Sequence, residues 1–201
     1  MARNYQYRIQ WQLIYSDKSE VLGMPEAGHI SEIILSRVRD VPDHPKKGIM
    51  FKDITPLLKD SGAFNATIEE LARLLQAKDF DYIAGIEARG FIIGAALSYL
   101  MKKGFVPIRK KGKLPYKTIS KEYMLEYGAT TIEMHSDAID KGSRVIVVDD
   151  LLATGGTAFA SSELIETLGG VVSGFAFIIE LSSLRGRDRL GGYEIYSIVK
   201  Y

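Results

Sequence analysis

The chain has 201 residues, 46% of them hydrophobic and 25% charged, an ordinary balance for one globular domain with a substantial core. Its 26 lysines and arginines stand against 25 aspartates and glutamates, and a net charge of +1 excludes the strongly basic surface of a nucleic-acid-binding domain. There is no cysteine, which excludes disulfides, thiolate metal sites and cysteine nucleophiles, and the three histidines, His29, His44 and His135, are too scattered for a zinc site.

Taken from the N-terminus, Arg3 and Arg8 precede no apolar signal core, and no later run approaches the roughly 20 apolar residues of a membrane span. A cytoplasmic protein without membrane contact is expected. Tyr5, Tyr7, Ile9, Trp11 and Leu13 alternate with polar residues, the period of a half-buried strand. Residues 1–29 are read as an arm that packs on the body or a neighbouring subunit, or Met24 is an alternative start and the first 23 residues a non-essential extension. The main domain is assigned to residues 30–201. Ile30, Ile33, Ile34 and Val38 follow helical spacing, and Pro42 and Pro45 end that helix. Phe64, Ile68, Leu71, Leu74 and Leu75 mark a second amphipathic helix.

A strand is expected over 82–86, a buried helix over 91–100 and a strand over 105–108. Residues 116–134 carry few core signals, but two alternating runs, 123–127 and 131–134, are able to pair as a hairpin. Further strands are expected over 143–148, 171–181 and 193–200, with a helix over 157–168. Strands alternating with helices imply an α/β fold with a mainly parallel sheet of about five strands. Ligands in such sheets bind at the carboxyl ends of the strands.

The most informative segment runs from Val145 to Ala158. Four apolar β-branched residues make a buried strand, Asp149 and Asp150 stand at its end, and Leu151, Leu152, Ala153, Thr154, Gly155, Gly156 and Thr157 lead into a helix. Paired glycines let the backbone approach a ligand closely, and a helix N-terminus presents unpaired N–H groups to an anion. With two threonine hydroxyls added, the loop suits one phosphate. Two acids beside a phosphate would repel it, unless they accept hydrogen bonds from the 2′- and 3′-hydroxyls of a ribose. A nucleoside-triphosphate loop of the Gly-x-x-x-x-Gly-Lys-Ser/Thr type does not occur.

This segment resembles the binding motif for 5-phosphoribosyl-1-pyrophosphate (PRPP) of the type I phosphoribosyltransferases. Ala153 stands where the 6-oxopurine enzymes usually carry Asp, as in the adenine-specific branch. Five further stretches fit that branch: Gly48–Pro56, Glu87–Phe91, Val106–Pro115, Leu125–Gly128 and Glu180–Leu184. The resemblance covers residues 30–201 and implies the type I fold, with a flap and a small hood from the N-terminal region.

The resemblance also implies roles. Glu87, Ala88 and Arg89 form the pyrophosphate loop, with a strained peptide between Glu87 and Ala88. Arg109, Lys110 and Lys113 bind pyrophosphate too, and Arg109 reaches across a dimer interface, so a homodimer is expected. Magnesium (Mg2+) is expected to bridge pyrophosphate oxygens and ribose hydroxyls through substrate and water, with no direct protein ligand assigned. Glu126 in the flap faces the purine and assists proton transfer, while Tyr127 lies near the reacting sugar. Phe51 stacks the base and the Met50 backbone reads the adenine amino edge. Lys52 stands where many relatives carry Arg and is grouped with the base site. The expected reaction joins adenine to PRPP, giving AMP and pyrophosphate. Two rivals are weaker: transfer to another purine, against which Ala153 argues, and a regulator that senses PRPP without catalysis, against which Glu126 argues.

Overall fold

The computed structural model describes residues 27–125 and 128–201, so the alternating run over 5–15 lies outside the described residues. The chain opens with helix α1 (Ala27–Arg37), followed by two short antiparallel strands, β1 (Arg39–Val41) and β2 (Phe51–Asp53), with Val41 opposite Phe51. Neither strand is readable from the sequence, because three residues are too few to establish a period of two. They form the small hood. A short helix α2 (Thr55–Lys59) leads into α3 (Ser61–Leu75), where the Asp60 carboxylate accepts the Ala63 amide at 3.1 Å and caps the helix.

The remaining elements alternate as expected: β3 (Tyr82–Ile86), α4 (Arg89–Met101), β4 (Gly104–Lys110), β5 (Thr118–Leu125), β6 (Gly128–His135), β7 (Arg144–Leu152), α5 (Gly156–Thr167) and β8 (Val171–Glu180). A 3-10 turn (Ser182–Leu184), a short helix α6 (Gly186–Arg189) and the last strand β9 (Ile195–Lys200) complete the chain. The main sheet has the order β5-β6-β4-β3-β7-β8-β9. Its five strands β4-β3-β7-β8-β9 are mutually parallel, the sheet expected from the sequence. The β5–β6 hairpin extends one edge in antiparallel sense, with Arg109 opposite Glu133 and Lys110 opposite Ile132.

Side chains on a strand point alternately to the two faces, and here both faces are covered. Ile146 and Val148 join α1, α3 and α4 in one core, with Ile34, Leu71, Leu75, Ile93 and Leu97. Val145 and Val147 join α5 in the other, with Ile108, Leu164, Phe175 and Phe177. This is why β7 reads as an unbroken apolar run rather than an alternating one. Each fully buried side chain of this kind contributes about 1.5–3 kcal/mol, which fixes the helices on their faces. The hairpin segment is also better anchored than its composition suggests, since Ile132 and Met134 are buried in the second core.

Candidate active site

Adjacent parallel strands bring two helix N-termini to one edge of the sheet. Strand β3 hands over through Glu87 and Ala88 to α4, and β7 hands over through Ala153, Thr154 and Gly155 to α5. Because β3 and β7 are paired neighbours, with Gly85 opposite Val148, both N-termini open on the same carboxyl edge. Their partial positive ends favour anions there.

Two glycines make this approach possible. A Cβ on Gly90 would stand 2.7 Å from the Val148 carbonyl oxygen and 3.0 Å from Asp149 Oδ1, so only glycine lets the first turn of α4 lie against β7. Gly155 has a φ of 76°, in the left-handed region, and a Cβ there would stand 2.7 Å from the Gly186 carbonyl oxygen. The Glu87–Ala88 peptide is cis.

A cavity of about 200 Å³ lies at this edge, lined by Glu87, Arg109, Lys110, Tyr123, Asp149 and Thr157 among others. A second, of about 100 Å³, is lined by residues 151–158 with Asp149 and Phe177. Asp149 and Thr157 line both. Glu87, Arg109, Lys110 and the Asp149–Thr157 loop, read separately along the chain, are therefore brought together.

The two acids at the end of β7 differ in their setting. Strand β7 runs through them to Leu152, and the Asp149 carboxylate accepts the Asp150 amide at 2.9 Å. Asp149 lines the cavities, whereas Asp150 is 2% exposed, lines neither cavity, and accepts a hydrogen bond from Arg89 Nε. Burial, with the neighbouring Asp150 carboxylate, pushes the Asp149 carboxyl well above the usual carboxylate range. Burial disfavours the Arg89 cation, but Asp150 and Asp149 outweigh it and raise its pKa. The Arg89 guanidinium also lies 5.1 Å from the centre of the Phe51 ring, which joins the hood to the same edge.

The basic loop after β4 is organised by carboxylates. Arg109 Nε donates to Glu87 Oε2 at 2.9 Å, and its Nη1 donates to the Lys113 carbonyl at 3.0 Å. The Lys110 amide donates to the same Glu87 oxygen at 3.2 Å. Glu133, 4% exposed, accepts the Lys113 and Leu114 amides at 2.9 Å each on Oε1. Burial alone would raise the Glu133 carboxyl, but the amides of Leu114, Gly112 and Lys113 outweigh it and hold it below the usual range. Sequence reasoning missed Glu133, because its closest partners are peptide groups about twenty residues away and no side-chain motif records them.

Two more anchors were equally invisible. Arg187 donates to both oxygens of Glu180, at 2.6 and 2.7 Å, and Ser197 donates to Glu180 Oε2 at 2.6 Å. This fork ties α6 to the ends of β8 and β9, and α6 carries Gly186 against the Gly155 loop. Tyr123 of β5 lies with its hydroxyl 2.9 Å from Thr157 Oγ1.

The base stretch divides. Phe51 is partly buried in the hood and Met50 is 49% exposed. Lys52, which the sequence reading grouped with them, is engaged elsewhere: its ammonium donates to Asp40 at 2.7 Å and lies 3.8 Å from the centre of the Tyr201 ring. It ties the hood to the C-terminal residue. Glu126 and Tyr127, between β5 and β6 in sequence, lie outside the described residues. Among the described residues, no group of three or more histidine or carboxylate side chains is gathered to hold a metal ion. No helix among them is long and apolar enough to cross a membrane.

Comparison with known proteins agrees with this geometry. The family model of the phosphoribosyl transferase domain matches residues 57–199. The adenine phosphoribosyltransferase of Caldanaerobacter subterraneus subsp. tengcongensis is 56% identical over 168 residues, 84% of this chain and 97% of that protein. The crystal structure of the adenine phosphoribosyltransferase from Thermoanaerobacter pseudethanolicus superposes with a TM-score of 0.83 at 56% identity, covering 85% of this chain and 99% of that one. The enzyme from Saccharomyces cerevisiae, solved with D-2,5-dideoxy-2,5-imino-altritol 1,6-bisphosphate and adenine, gives 0.80 at 35% identity, covering 86% and 99%.

Proposed function

The chain belongs to the adenine phosphoribosyltransferases, and from that membership we propose how its own residues bind PRPP and adenine at the edge shared by β3 and β7. The enzyme transfers the 5-phosphoribosyl group of PRPP to adenine, giving AMP and pyrophosphate in purine salvage. The observation that carries the site reading is the single cavity in which Asp149 and Thr157 face Glu87, Arg109 and Lys110.

The Thr154–Thr157 loop and the N-terminus of α5 receive the 5′-phosphate through backbone N–H groups and the two hydroxyls. Asp149 accepts from the ribose hydroxyls. Asp150, behind it, fixes Arg89. The pyrophosphate lies toward Glu87, Ala88 and the first turn of α4, where Arg109, Lys110 and the loop of Lys113 supply positive charge that stabilises the leaving group. Magnesium would neutralise pyrophosphate charge, and Glu87 and Asp149 are the acids lining the cavity where it would be held. Phe51 stacks the adenine and Met50 reads its amino edge through the backbone. Glu126 assists proton transfer at the purine, and Tyr127 stands near the reacting sugar. As pyrophosphate leaves C1, adenine N9 attacks with inversion, and much of the acceleration is orientation.

The working protein on this reading is a cytoplasmic homodimer. Ile92 and Tyr99, on one face of α4, are 45% and 89% exposed, an apolar pair that suits burial against a second copy. The functional test is a spectrophotometric assay with PRPP, magnesium and each of adenine, hypoxanthine, guanine and xanthine. AMP from adenine alone, lost on Glu126→Ala, is the expected result. Turnover of an oxopurine would overturn the base assignment, and PRPP binding without turnover of any base would favour a regulator.

A further inference from the structure

Strand β5 lies along helix α5 through a row of specific contacts. Lys121 Nζ pairs with Glu163 Oε1, and the Tyr123 hydroxyl meets Thr157 Oγ1 at 2.9 Å. Tyr123 Cδ2 and the Met124 carbonyl oxygen stand only 3.5 and 3.6 Å from the place of a Cβ on Gly156. Lys121 and Tyr123 are two residues apart and so share one face of the strand. Tyr123 is half-buried and lines the same cavity as Asp149 and Thr157.

A pair of hydroxyls has a direction. Each oxygen carries one proton and two lone pairs, so either member of the Tyr123–Thr157 pair is able to donate. On the reading of the Thr154–Thr157 loop as a phosphate cradle, Thr157 gives its single proton to a phosphate oxygen. It then accepts from Tyr123, and the phenolic proton points at Thr157 Oγ1. The result is a two-bond chain, tyrosine to threonine to phosphate, in which each bond polarises the next. A charged terminal acceptor strengthens such a chain.

We propose that Tyr123 is a positioning residue of the phosphate cradle: its hydroxyl donates to Thr157 Oγ1, turns the threonine proton toward the 5′-phosphate, and ties strand β5 to the occupied cradle. The proposal rests on the phosphate reading of that loop. It adds a tyrosine from the hairpin to a site otherwise built from β7 and α5.

The test is calorimetric titration of the full chain with ribose 5-phosphate and, separately, with inorganic pyrophosphate. Tyr123→Phe should weaken ribose 5-phosphate by about 3- to 10-fold, the loss of one hydrogen bond in a charged chain, and leave pyrophosphate unchanged. In a Thr157→Val background the same change should cost less than about 2-fold, and in Thr157→Ser, which keeps the hydroxyl, the loss should return. Equal weakening of both ligands would mark a merely structural role and overturn the proposal. An unchanged ribose 5-phosphate affinity in Tyr123→Phe, or the same loss in the Thr157→Val background, would overturn it as well. If Thr157→Val itself leaves ribose 5-phosphate binding intact, the cradle reading fails first, and the proposal with it.

Discussion

Arg89 donates from Nε to the buried carboxylate of Asp150, joining the first turn of α4 to strand β7 across the two loops of the candidate site. Arg89 is 41% exposed while Asp150 is 2% exposed, so the carboxylate depends on the guanidinium far more than the reverse. Arg89→Met should therefore strand a buried charge and destabilise the fold by about 3 kcal/mol. Adding Asp150→Asn should restore at least half of that loss. Urea denaturation of the single and double variants checks both, and a loss below about 1 kcal/mol would class the pair with ordinary surface ion pairs.

Glu133 holds the Lys113–Leu114 turn through two amides on one oxygen. Glu133→Gln keeps a carbonyl acceptor but loses the charge, and Glu133→Ala loses both. The KM for PRPP should rise by about 3- to 10-fold in the first and further in the second, since bonds to a charged group are worth about 1.5–3 kcal/mol. Initial rates at saturating adenine measure this. An unchanged KM would mean that the basic loop takes its shape without Glu133.

The Glu180–Arg187 fork gives stability a pH dependence of defined sign. The guanidinium of Arg187, helped by Ser197 and opposed by burial, holds the Glu180 carboxyl below its ordinary value of 4.5. A carboxyl whose pKa is lower folded than unfolded stabilises the fold above the unfolded value, and loses that effect as pH falls through the folded one. Unfolding free energy should fall as pH drops below about 4.5 in the parent protein. The fall should be shallower in Glu180→Gln, which should also be less stable by about 2 kcal/mol at pH 7. Parallel curves for the two proteins would show that the fork contributes nothing to acid sensitivity.

Gly90→Ala and Gly155→Ala test the backbone approach. The first places a methyl 2.7 Å from the Val148 carbonyl oxygen, and the second adds a left-handed φ of 76° to a 2.7 Å approach to Gly186. Each should cost about 1–3 kcal/mol of stability. Each should also weaken a different ligand: pyrophosphate for Gly90→Ala, ribose 5-phosphate for Gly155→Ala. Calorimetric affinities that fell together in both variants would argue against two separate anion sites.

Much of this protein was legible in the sequence. The unbroken apolar run Val145–Val148, the two acids after it and the small-residue loop into α5 specify a buried parallel strand and a phosphate-type turn, because that chemistry is local. The alternation of strands and helices from Tyr82 to Lys200 follows from period, and the alternating runs over 123–127 and 131–134 point to a hairpin, although β5 and β6 start, turn and end elsewhere. The tertiary structure decided what depends on which face a side chain takes and on what meets it from far along the chain. Asp149 and Asp150 are neighbours in sequence, yet Asp149 lines the cavities while Asp150 is buried against Arg89. Lys52 goes to Asp40 and Tyr201 rather than standing with the base stretch, and Glu133, Glu180 and Tyr123 find partners on other elements. A linear pattern records which groups are present and at what spacing. Only packing determines which of them, brought close in a buried setting, must satisfy one another.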